Sequence, residues 1–349
     1  MPCIHDLLAA AAAGDTAIAA PGRRPLTYGG LRSLADRTVA ALNDLGIGRN
    51  DRVAIVLPNG PEMAAAFVAI GCGATTAPLN PAYRAEEFEF YLTDLKAKAL
   101  LVDEADDSPA IAVANKLAVP IIRLHMENDQ EAGLFTLLAE GGARTDRAGA
   151  QGFAAAGDVA LVLHTSGTTS RPKIVPLTQA NVSASARHIG ATLGLGPDDR
   201  CLNIMPLFHI HGLIAGVLSS LAAGASVFCT PGFNALRFYV WLDEARPTWF
   251  TAVPTMLQAI QARASQNRPL IEKSQGRLRL IRSSSASLPP QVMLALEETF
   301  GVPVIESYAV DCLTQPLEPW ERLGGLGAYI HLVGRGDMLS CYLSEIPAG

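Results

Sequence analysis

Hydroxyl groups and cations are concentrated in residues 161–176, whose sequence is LVLHTSGTTSRPKIVP. An apolar, strand-like run leads directly into a loop that holds several serines and threonines together with Gly167, Arg171 and Lys173. Glycine lets backbone N–H groups approach an anion, hydroxyls donate hydrogen bonds and a lysine adds a point charge, so this pattern suits a polyphosphate. It is not a Walker A loop, because no second glycine precedes a Lys-Ser/Thr pair at the required spacing. A polar surface loop is the alternative interpretation.

Two histidines, His209 and His211, are separated by a single residue. A His-x-His pair can ligate zinc, but a third ligand is not evident in the sequence, so we predict no metal site. A buried, hydrogen-bonded pair is the alternative for these two side chains. No GxGxxG turn opens a βαβ unit, which disfavours a Rossmann oxidoreductase.

Short apolar runs alternate with helical patterns along most of the chain. Such alternation predicts βαβ units with mostly parallel sheets, and therefore an α/β fold class. The stretch 139–157 is rich in glycine and alanine, lacks periodicity and is interpreted as a linker. We therefore predict two stacked sheet subdomains, at about 1–138 and 158–308. The predicted strands are 52–57, 74–79, 99–102, 159–164, 201–205, 226–229, 248–253, 278–283 and 302–307.

The composition of the 349 residues is that of a folded globular protein. Apolar residues make up 49% and charged residues 17%, which excludes disordered and coiled-coil classes. A net charge of −6 without a basic block argues against a nucleic-acid partner. Six cysteines without a CxxC pair indicate free thiols in a reducing compartment, so a cytoplasmic location is expected. The longest apolar stretch, 212–229, is interrupted by serines and a glycine, so no membrane span is expected.

Four segments carry a resemblance to a known family. TSGTTSRPK (165–173), MPLFHIHG (205–212), RSSSASL (282–288) and ESYA (306–309) occur in this order. They resemble, respectively, the phosphate-binding loop, the PLFHxxG segment, the adenine loop and the start of the GYGxTE segment of the adenylate-forming superfamily, which includes the acyl-CoA synthetases. The likeness covers about residues 10–308. Details such as PLFHIHGL and IRSSSASL are most similar to the oxalate–CoA ligase branch.

The resemblance implies an ATP-dependent acid–thiol ligase. In that family a carboxylate attacks the α-phosphorus of ATP to give an acyl-adenylate and pyrophosphate, and the thiol of coenzyme A then displaces AMP. ATP and coenzyme A are therefore the expected co-substrates, Mg²⁺ is expected with the ATP, and a small, oxalate-like carboxylic acid is the expected substrate. The resemblance also implies that residues 1–308 form the AMP-binding N-terminal large domain. A homodimer is left open.

Matched position by position, the four segments give individual residues a role. The resemblance implies that Lys173 and His209 are catalytic, with His209 at the acyl and α-phosphate end. His211 would face the acyl pocket, where its polarity favours a small polar acid. Arg282 would bind a second carboxylate bidentately, unless it is a strand-end surface arginine. The residues that would hold the phosphates are Thr165, Ser166, Gly167, Thr168, Thr169 and Lys173. Those that would surround the adenine are Ser285, Ala286, Ser287, Glu306, Ser307, Tyr308 and Ala309.

The sequence departs from the family pattern after the fourth segment. Where the family has a Thr-Glu pair for phosphate and Mg²⁺, this chain has Asp311 and Cys312, and a thiol is a poor ligand for Mg²⁺. Asp311 would repel a phosphate unless it captures the metal itself. Ile174 replaces the glycine that usually follows the loop lysine.

The likeness decays beyond Tyr308, so residues 309–349 are expected to be a divergent tail without the family's C-terminal lid domain. This expectation leaves an alternative function open. The chain would then be a catalytically impaired homologue that binds a nucleotide or an acyl ligand, or one that needs a partner chain to supply the lid.

Overall fold

A computed structural model describes residues 2–126, 131–142, 150–165 and 172–307, together with three further strands. The strands are β1 (Thr16–Ala19), β2 (Leu26–Thr27), β3 (Arg52–Val56), β4 (Thr75–Pro78), β5 (Ala99–Asp103), β6 (Ile121–His125), β7 (Thr136–Ala139), β8 (Val159–Thr165), β9 (Lys173–Thr178), β10 (Arg200–Asn203), β11 (Ser226–Cys229), β12 (Trp249–Ala252), β13 (Leu280–Ser284), β14 (Val304–Ser307), β15 (Glu318–Trp320), β16 (Gly325–His331) and β17 (Ser340–Glu345). The α-helices are α1 (Ile4–Leu7), α2 (Tyr28–Asp44), α3 (Pro61–Gly71), α4 (Ala85–Leu95), α5 (Pro109–Lys116), α6 (Gln179–Thr192), α7 (Ser219–Ala222), α8 (Phe238–Ala245), α9 (Pro254–Gln261), α10 (Arg268–Ser274) and α11 (Pro290–Phe300). A π-helix, His211–Leu218, leads directly into α7.

Two seven-stranded sheets carry most of these strands. The first has the order β7-β6-β5-β3-β4-β8-β9, with a parallel centre and antiparallel edge strands β7 and β9. The second has the order β14-β13-β12-β10-β11-β1-β2, in which β2 pairs antiparallel and the other neighbours pair parallel. Strands β15, β16 and β17 form a separate antiparallel sheet. The predicted α/β fold class is confirmed, and each strand predicted from the sequence is present with its ends within two residues.

The sheets divide the chain differently from the predicted boundary at 139–157. Strands β1 and β2 come from the N-terminal half but lie in the second sheet, where β1 pairs with β11. Strands β8 and β9 follow the predicted linker but lie in the first sheet, where β8 pairs with β4. Side chains fix this pairing, because the hydroxyls of Thr75 and Thr76 donate to the carbonyls of Val159 and Ala160 at 2.6 and 2.8 Å.

The helices form three layers around the two sheets. Helices α2, α3 and α6 and the π-helix lie between the sheets, and their apolar side chains share one core with both. Helices α4 and α5 cover the outer face of the first sheet, and α8 to α11 cover the outer face of the second. Ten of the eleven residues of α3 are buried, as expected for a helix that lies between two sheets and is apolar on all sides.

No helix in the described ranges is both long and apolar enough to cross a bilayer. The four cysteines in the described part of the chain are free, and three of them are buried. Burial raises the pKa of Cys72, Cys201 and Cys229 well above the usual range of a thiol. These three side chains are therefore neutral core groups rather than nucleophiles.

The side-chain amide of Asn59 joins the two sheets at the carboxyl ends of their strands. Asn59 lies in the turn that follows β3 of the first sheet. Its Oδ1 accepts a hydrogen bond from the backbone N–H of Leu207, in the segment after β10, at 2.7 Å. Its Nδ2 donates to the carbonyl of Thr230, directly after β11, at 2.9 Å. Asn59 therefore fixes the position of the segment that carries His209 and His211.

Candidate functional site

A row of polar side chains crosses the second sheet near the carboxyl ends of its strands. Asn203 on β10 is the register partner of Thr251 on β12, which is the register partner of Arg282 on β13. Register partners on neighbouring strands point to the same face of a sheet, so the three side chains lie side by side. Asn203 and Thr251 have no exposed surface, and Arg282 is 7% exposed. On each of these three strands, the residue two positions earlier points to the same face of the sheet and belongs to the central core.

The π-helix brings His211 onto this row. Gly212 allows the approach, because a Cβ at that position would lie 2.5 Å from the carbonyl oxygen of Pro206. The Nε2 atom of His211 is 2.6 Å from Oγ1 of Thr251 and 3.1 Å from Nη1 of Arg282. Its Nδ1 atom is 3.2 Å from Oγ of Ser285. Both ring nitrogens of His211 are therefore engaged by side chains of the second sheet and of the loop after β13.

His211 is electrically neutral at pH 7. Burial, the charge of Arg282 and the nearby His209 together lower the pKa of His211 to about 4. Partial burial also lowers the pKa of His209, which lies in the turn that precedes the π-helix and contacts the ring of Phe208. Neutral imidazoles can each donate one hydrogen bond and accept another, so this pair contributes polarity to the site without adding charge.

Among the described residues, Arg282 is a buried cation without a carboxylate partner. None of the ion pairs formed in the described ranges includes this side chain. Its hydrogen bonds go to neutral groups, namely His211, Thr251 at 3.2 Å and Ser307 at 3.3 Å. Burial lowers the pKa of the Arg282 guanidinium, which nevertheless stays charged because an arginine is not deprotonated in proteins. Since burying an uncompensated charge is costly, this arrangement favours an anionic ligand.

The predicted adenine loop follows β13 directly and is exposed along residues 285–287. Ser285 has a φ of 77°, a left-handed conformation that a non-glycine residue adopts only at a cost of about 1–3 kcal/mol. The carboxylate of Glu306 accepts a hydrogen bond from the backbone N–H of Leu288 at 2.6 Å. Glu306 therefore holds the far end of this loop, while Ser307 on the same strand contacts Arg282.

The predicted phosphate segment begins and ends on a hairpin of the first sheet. Thr165 at the end of β8 is paired with Lys173 at the start of β9, and Lys173 is exposed. His164, the residue before Thr165, is fixed from behind because its Nε2 lies 3.0 Å from Oδ2 of Asp94 on α4. Burial lowers the pKa of His164 more than the nearby Asp94 raises it.

The structure brings His211, Arg282, Ser285 and Ser307 into mutual contact, with His209 two residues away in the chain. Thr165 and Lys173 lie on the other sheet. Ala286 and Ser287 lie in the exposed loop after β13, and Glu306 lies on β14. Seven predicted site residues lie outside the described residues, as does Cys312; they are Ser166, Gly167, Thr168, Thr169, Tyr308, Ala309 and Asp311.

The donor groups of this site do not suit a metal ion. Within the described ranges, no group of three or more His, Cys, Asp or Glu side chains could hold a metal ion. His211 would also be a poor ligand, because a guanidinium lies 3.1 Å from its Nε2 and would repel a cation. The residues that the resemblance links to Mg²⁺ fall outside the described part of the chain.

Sequence reasoning missed Thr251, Asn203 and Asn59. A signal for Thr251 was present, since it is the polar residue of the short strand WFTA, whereas Asn203 shares the strand RCLN with Arg200 and does not stand out. Asn59 lies in the sequence Pro-Asn-Gly, which predicts a turn. The sequence does not show that its side chain joins the segments after β10 and β11.

Comparison with known proteins shows the family of this chain. The AMP-binding enzyme family matches residues 8–310. The chain belongs to this family. The predicted family is thereby confirmed.

Members of the AMP-binding enzyme family that are similar to this chain include named CoA ligases. The oxalate–CoA ligase of Arabidopsis thaliana is 42% identical over 298 residues, which cover 84% of this chain and 57% of that protein. A sulfoacetate–CoA ligase of Cupriavidus necator is 32% identical and covers 86% of this chain and 58% of its own length. The crystal structure of apo MatB from Rhodopseudomonas palustris superposes with a TM-score of 0.72 at 25% identity, covering 88% of this chain and 59% of that chain. The chain thus spans less than three-fifths of the length of these relatives.

Proposed function

We propose that this chain provides the ATP- and acid-binding part of an acid–thiol ligase. The reaction joins a small carboxylic acid to AMP with release of pyrophosphate, and then transfers the acyl group to the thiol of coenzyme A. Both steps need two anions or an anion and a thiolate to approach each other, so positioning and charge stabilisation are the main tasks of the protein.

The buried guanidinium of Arg282 is the observation that carries this proposal. Its three hydrogen bonds within the described ranges go to neutral groups, which leaves two of the five N–H donors of an arginine without a partner there. A carboxylate accepts two parallel N–H bonds from a guanidinium, so Arg282 suits an anionic group on the acid. Membership of a family that handles AMP makes an acid that is joined to AMP the natural occupant.

The acid class follows from the same charge. An acid that is activated at one carboxylate needs a second anionic group to neutralise Arg282. Oxalate and sulfoacetate, which give two similar ligases their names, each carry a second anionic group. Buried apolar side chains of the central core lie directly behind the polar row and fill the space that a long chain would need, so the proposed substrate is a small acid of the oxalate type.

Lys173 and the segment that begins at Thr165 are proposed to bind the triphosphate. Lys173 is exposed at the mouth of the β8–β9 hairpin, where a lysine acts as a point charge for phosphate. His209, with its lowered pKa, is proposed to donate a hydrogen bond near the α-phosphate as a neutral imidazole. The loop of Ser285, Ala286 and Ser287 is proposed to border the adenine. In the second step the thiol of coenzyme A takes the acyl group, and AMP leaves.

Binding by the purified chain tests the proposal without requiring turnover. Calorimetric titration with ATP and magnesium, followed by oxalate, malonate or acetate, is expected to give saturable binding of ATP and preference for the two dianions over acetate. ATP–pyrophosphate exchange in the presence of each acid then tests the chemical step. Absence of ATP binding, or equal affinity for oxalate and acetate, would contradict the proposal.

Two lysine variants test the phosphate assignment. Lys173→Ala is expected to weaken ATP binding about tenfold, because a charge-assisted hydrogen bond contributes about 1.5–3 kcal/mol. Lys273→Ala is the matched control, since Lys273 is also exposed but pairs with Asp243 at 3.1 Å on the outer helices of the second sheet. Unchanged ATP affinity in Lys173→Ala would show that the hairpin does not hold the phosphates.

A further inference from the structure

We propose that Thr251 is a positioning residue which, with Arg282, holds His211 as the Nδ1–H tautomer and thereby makes Ser285 a hydrogen-bond donor to the acid. The proposal rests on the proposed function for the identity of the ligand, but its tautomer step concerns this chain alone. Thr251 lies outside the four sequence segments that resemble the family, so none of them gives it a role.

The tautomer follows from what a guanidinium can do. Arg282 has only donors, and its Nη1 lies 3.1 Å from Nε2 of His211 and 3.2 Å from Oγ1 of Thr251, so a proton on Nε2 would face the guanidinium and the Thr251 oxygen accepts from Arg282. The hydroxyl proton of Thr251 is then directed to Nε2 of His211, 2.6 Å away, and takes the single lone pair of that nitrogen. With Nε2 unprotonated, the single proton of the neutral imidazole is on Nδ1.

The position of the proton on His211 determines the direction of the next hydrogen bond. Nδ1 lies 3.2 Å from Oγ of Ser285, so its N–H donates and the serine oxygen accepts. The hydroxyl proton of Ser285 is then not used by His211. Because Ser285 is exposed at the loop surface, this proton is available to a ligand.

The backbone of Ser285 supports a functional reason for this geometry. A φ of 77° is unfavourable for serine, and glycine would adopt it without the penalty. The strained conformation nevertheless places a hydroxyl where His211 can orient it. Strain that the surrounding structure maintains is typical of ligand-binding positions.

The resulting site presents donors only. The free N–H groups of Arg282 and the O–H of Ser285 can be satisfied together by acceptor oxygens, such as those of a second carboxylate. An alkyl end would leave the buried N–H groups of Arg282 unpaired, and an ammonium end would meet the guanidinium charge. A site whose buried polar groups need a partner rejects ligands that lack it more strongly than an apolar pocket rejects an extra methylene. The relay therefore contributes to selectivity for an acid with an acceptor-rich far end.

Two substitutions of Thr251 separate the role of its hydroxyl from that of its methyl group. Thr251 has no exposed surface, so Thr251→Val removes the hydroxyl with little change of volume, and Thr251→Ser retains the hydroxyl while removing a methyl group. Melting temperatures of both variants check that each folds. If Thr251 only fills space, Val should be tolerated better than Ser; if its hydroxyl positions His211, Ser should be tolerated better than Val.

Nitrogen NMR of the histidine side chains reads the tautomer directly. Protein labelled with ¹⁵N-histidine is compared with His211→Gln, in which the signals of this ring are missing and are thereby assigned. We expect Nδ1–H in the wild-type protein, a second, Nε2–H population in Thr251→Val, and return to the wild-type pattern in Thr251→Ser. An Nε2–H tautomer in the wild type, or an unchanged spectrum in Thr251→Val, would overturn the proposal.

Acid binding gives the functional arm of the test. Thr251→Val is expected to lose about tenfold in affinity for oxalate, and Thr251→Ser to restore oxalate binding, since one hydrogen bond in a charged network is worth about 1.5–3 kcal/mol. Equal oxalate affinity in wild type and Thr251→Val would overturn the role in selectivity. If the wild type binds no acid, the proposed function fails, whereas the NMR spectrum still decides the tautomer.

Discussion

Replacing Arg282 by methionine is expected to strengthen the empty fold while weakening the acid site. The guanidinium is 7% exposed and lacks a carboxylate partner in the described part of the chain, so its desolvation is poorly compensated. Replacing buried ionic groups by apolar side chains of similar volume is often neutral or stabilising, so we expect an unfolding free energy that is unchanged or raised by about 1–2 kcal/mol. Thr251 and His211 keep their mutual hydrogen bond in this variant.

The loss of binding can be worked out from the donors. Two free N–H groups that each bind a carboxylate oxygen would contribute together about 3 kcal/mol, which is about a hundredfold in dissociation constant. At an oxalate concentration of about 100 times the wild-type dissociation constant, the ligand should stabilise the wild type by about 2.7 kcal/mol. At the same concentration Arg282→Met should gain only about 0.4 kcal/mol.

Urea unfolding with and without oxalate measures both effects in one series. Arg187→Met is the matched control, because it removes an exposed arginine on α6 and should change neither quantity by more than about 0.5 kcal/mol. The reasoning is refuted if Arg282→Met loses several kcal/mol of stability without ligand and is still stabilised by oxalate to the wild-type extent. Arg282 would then be a structural residue of the sheet.

Three further variants test other parts of the structure. Asn59→Ala should lower the unfolding free energy by about 2 kcal/mol in urea unfolding, because it removes two hydrogen bonds that join the sheets; a loss below about 0.5 kcal/mol would argue against that link. Gly212→Ala should lower the melting temperature sharply, since the added Cβ would lie 2.5 Å from the Pro206 carbonyl oxygen, and an unchanged melting temperature would contradict the close approach. His211 is charged below about pH 6.5 when unfolded but only below about pH 4 when folded, so stability should fall as the pH drops through this window, by up to about 3 kcal/mol. Unfolding measured from pH 7 to pH 4 should show a shallower fall in His211→Gln, and identical slopes would contradict the lowered pKa.

Local patterns in the sequence predicted the long elements of this fold well. Strand β11 was located to the residue, and β3 to within one residue. Strand β1 was missed because its four residues, TAIA, carry no pattern of their own and are stabilised by pairing with β11, about 200 positions later. The division between the sheets was misplaced for the same reason, since it depends on pairings between distant strands.

The candidate site shows a similar limit. Motif resemblance identified His211, Arg282 and Ser285 as site residues, but their mutual contacts depend on the register of β12 and β13 and on the close turn at Gly212. Thr251 had no motif to mark it and is polar in a strand where any β-branched residue would suit the backbone. The side chain that completes the network was therefore visible only once the strands were aligned.

The pairing of β1 with β11 has a consequence for how the chain is made. On a ribosome, Ile18 leaves the exit tunnel long before Val227, its partner in the sheet, has been synthesised. The first sheet must likewise wait for β8 before the open edge of β4 is paired. Early intermediates therefore carry unpaired strand edges, which are the features that recruit other chains. When this protein is synthesised rapidly, we expect its yield to depend on how many chaperones are available to cover these edges, rather than on the stability of the finished fold.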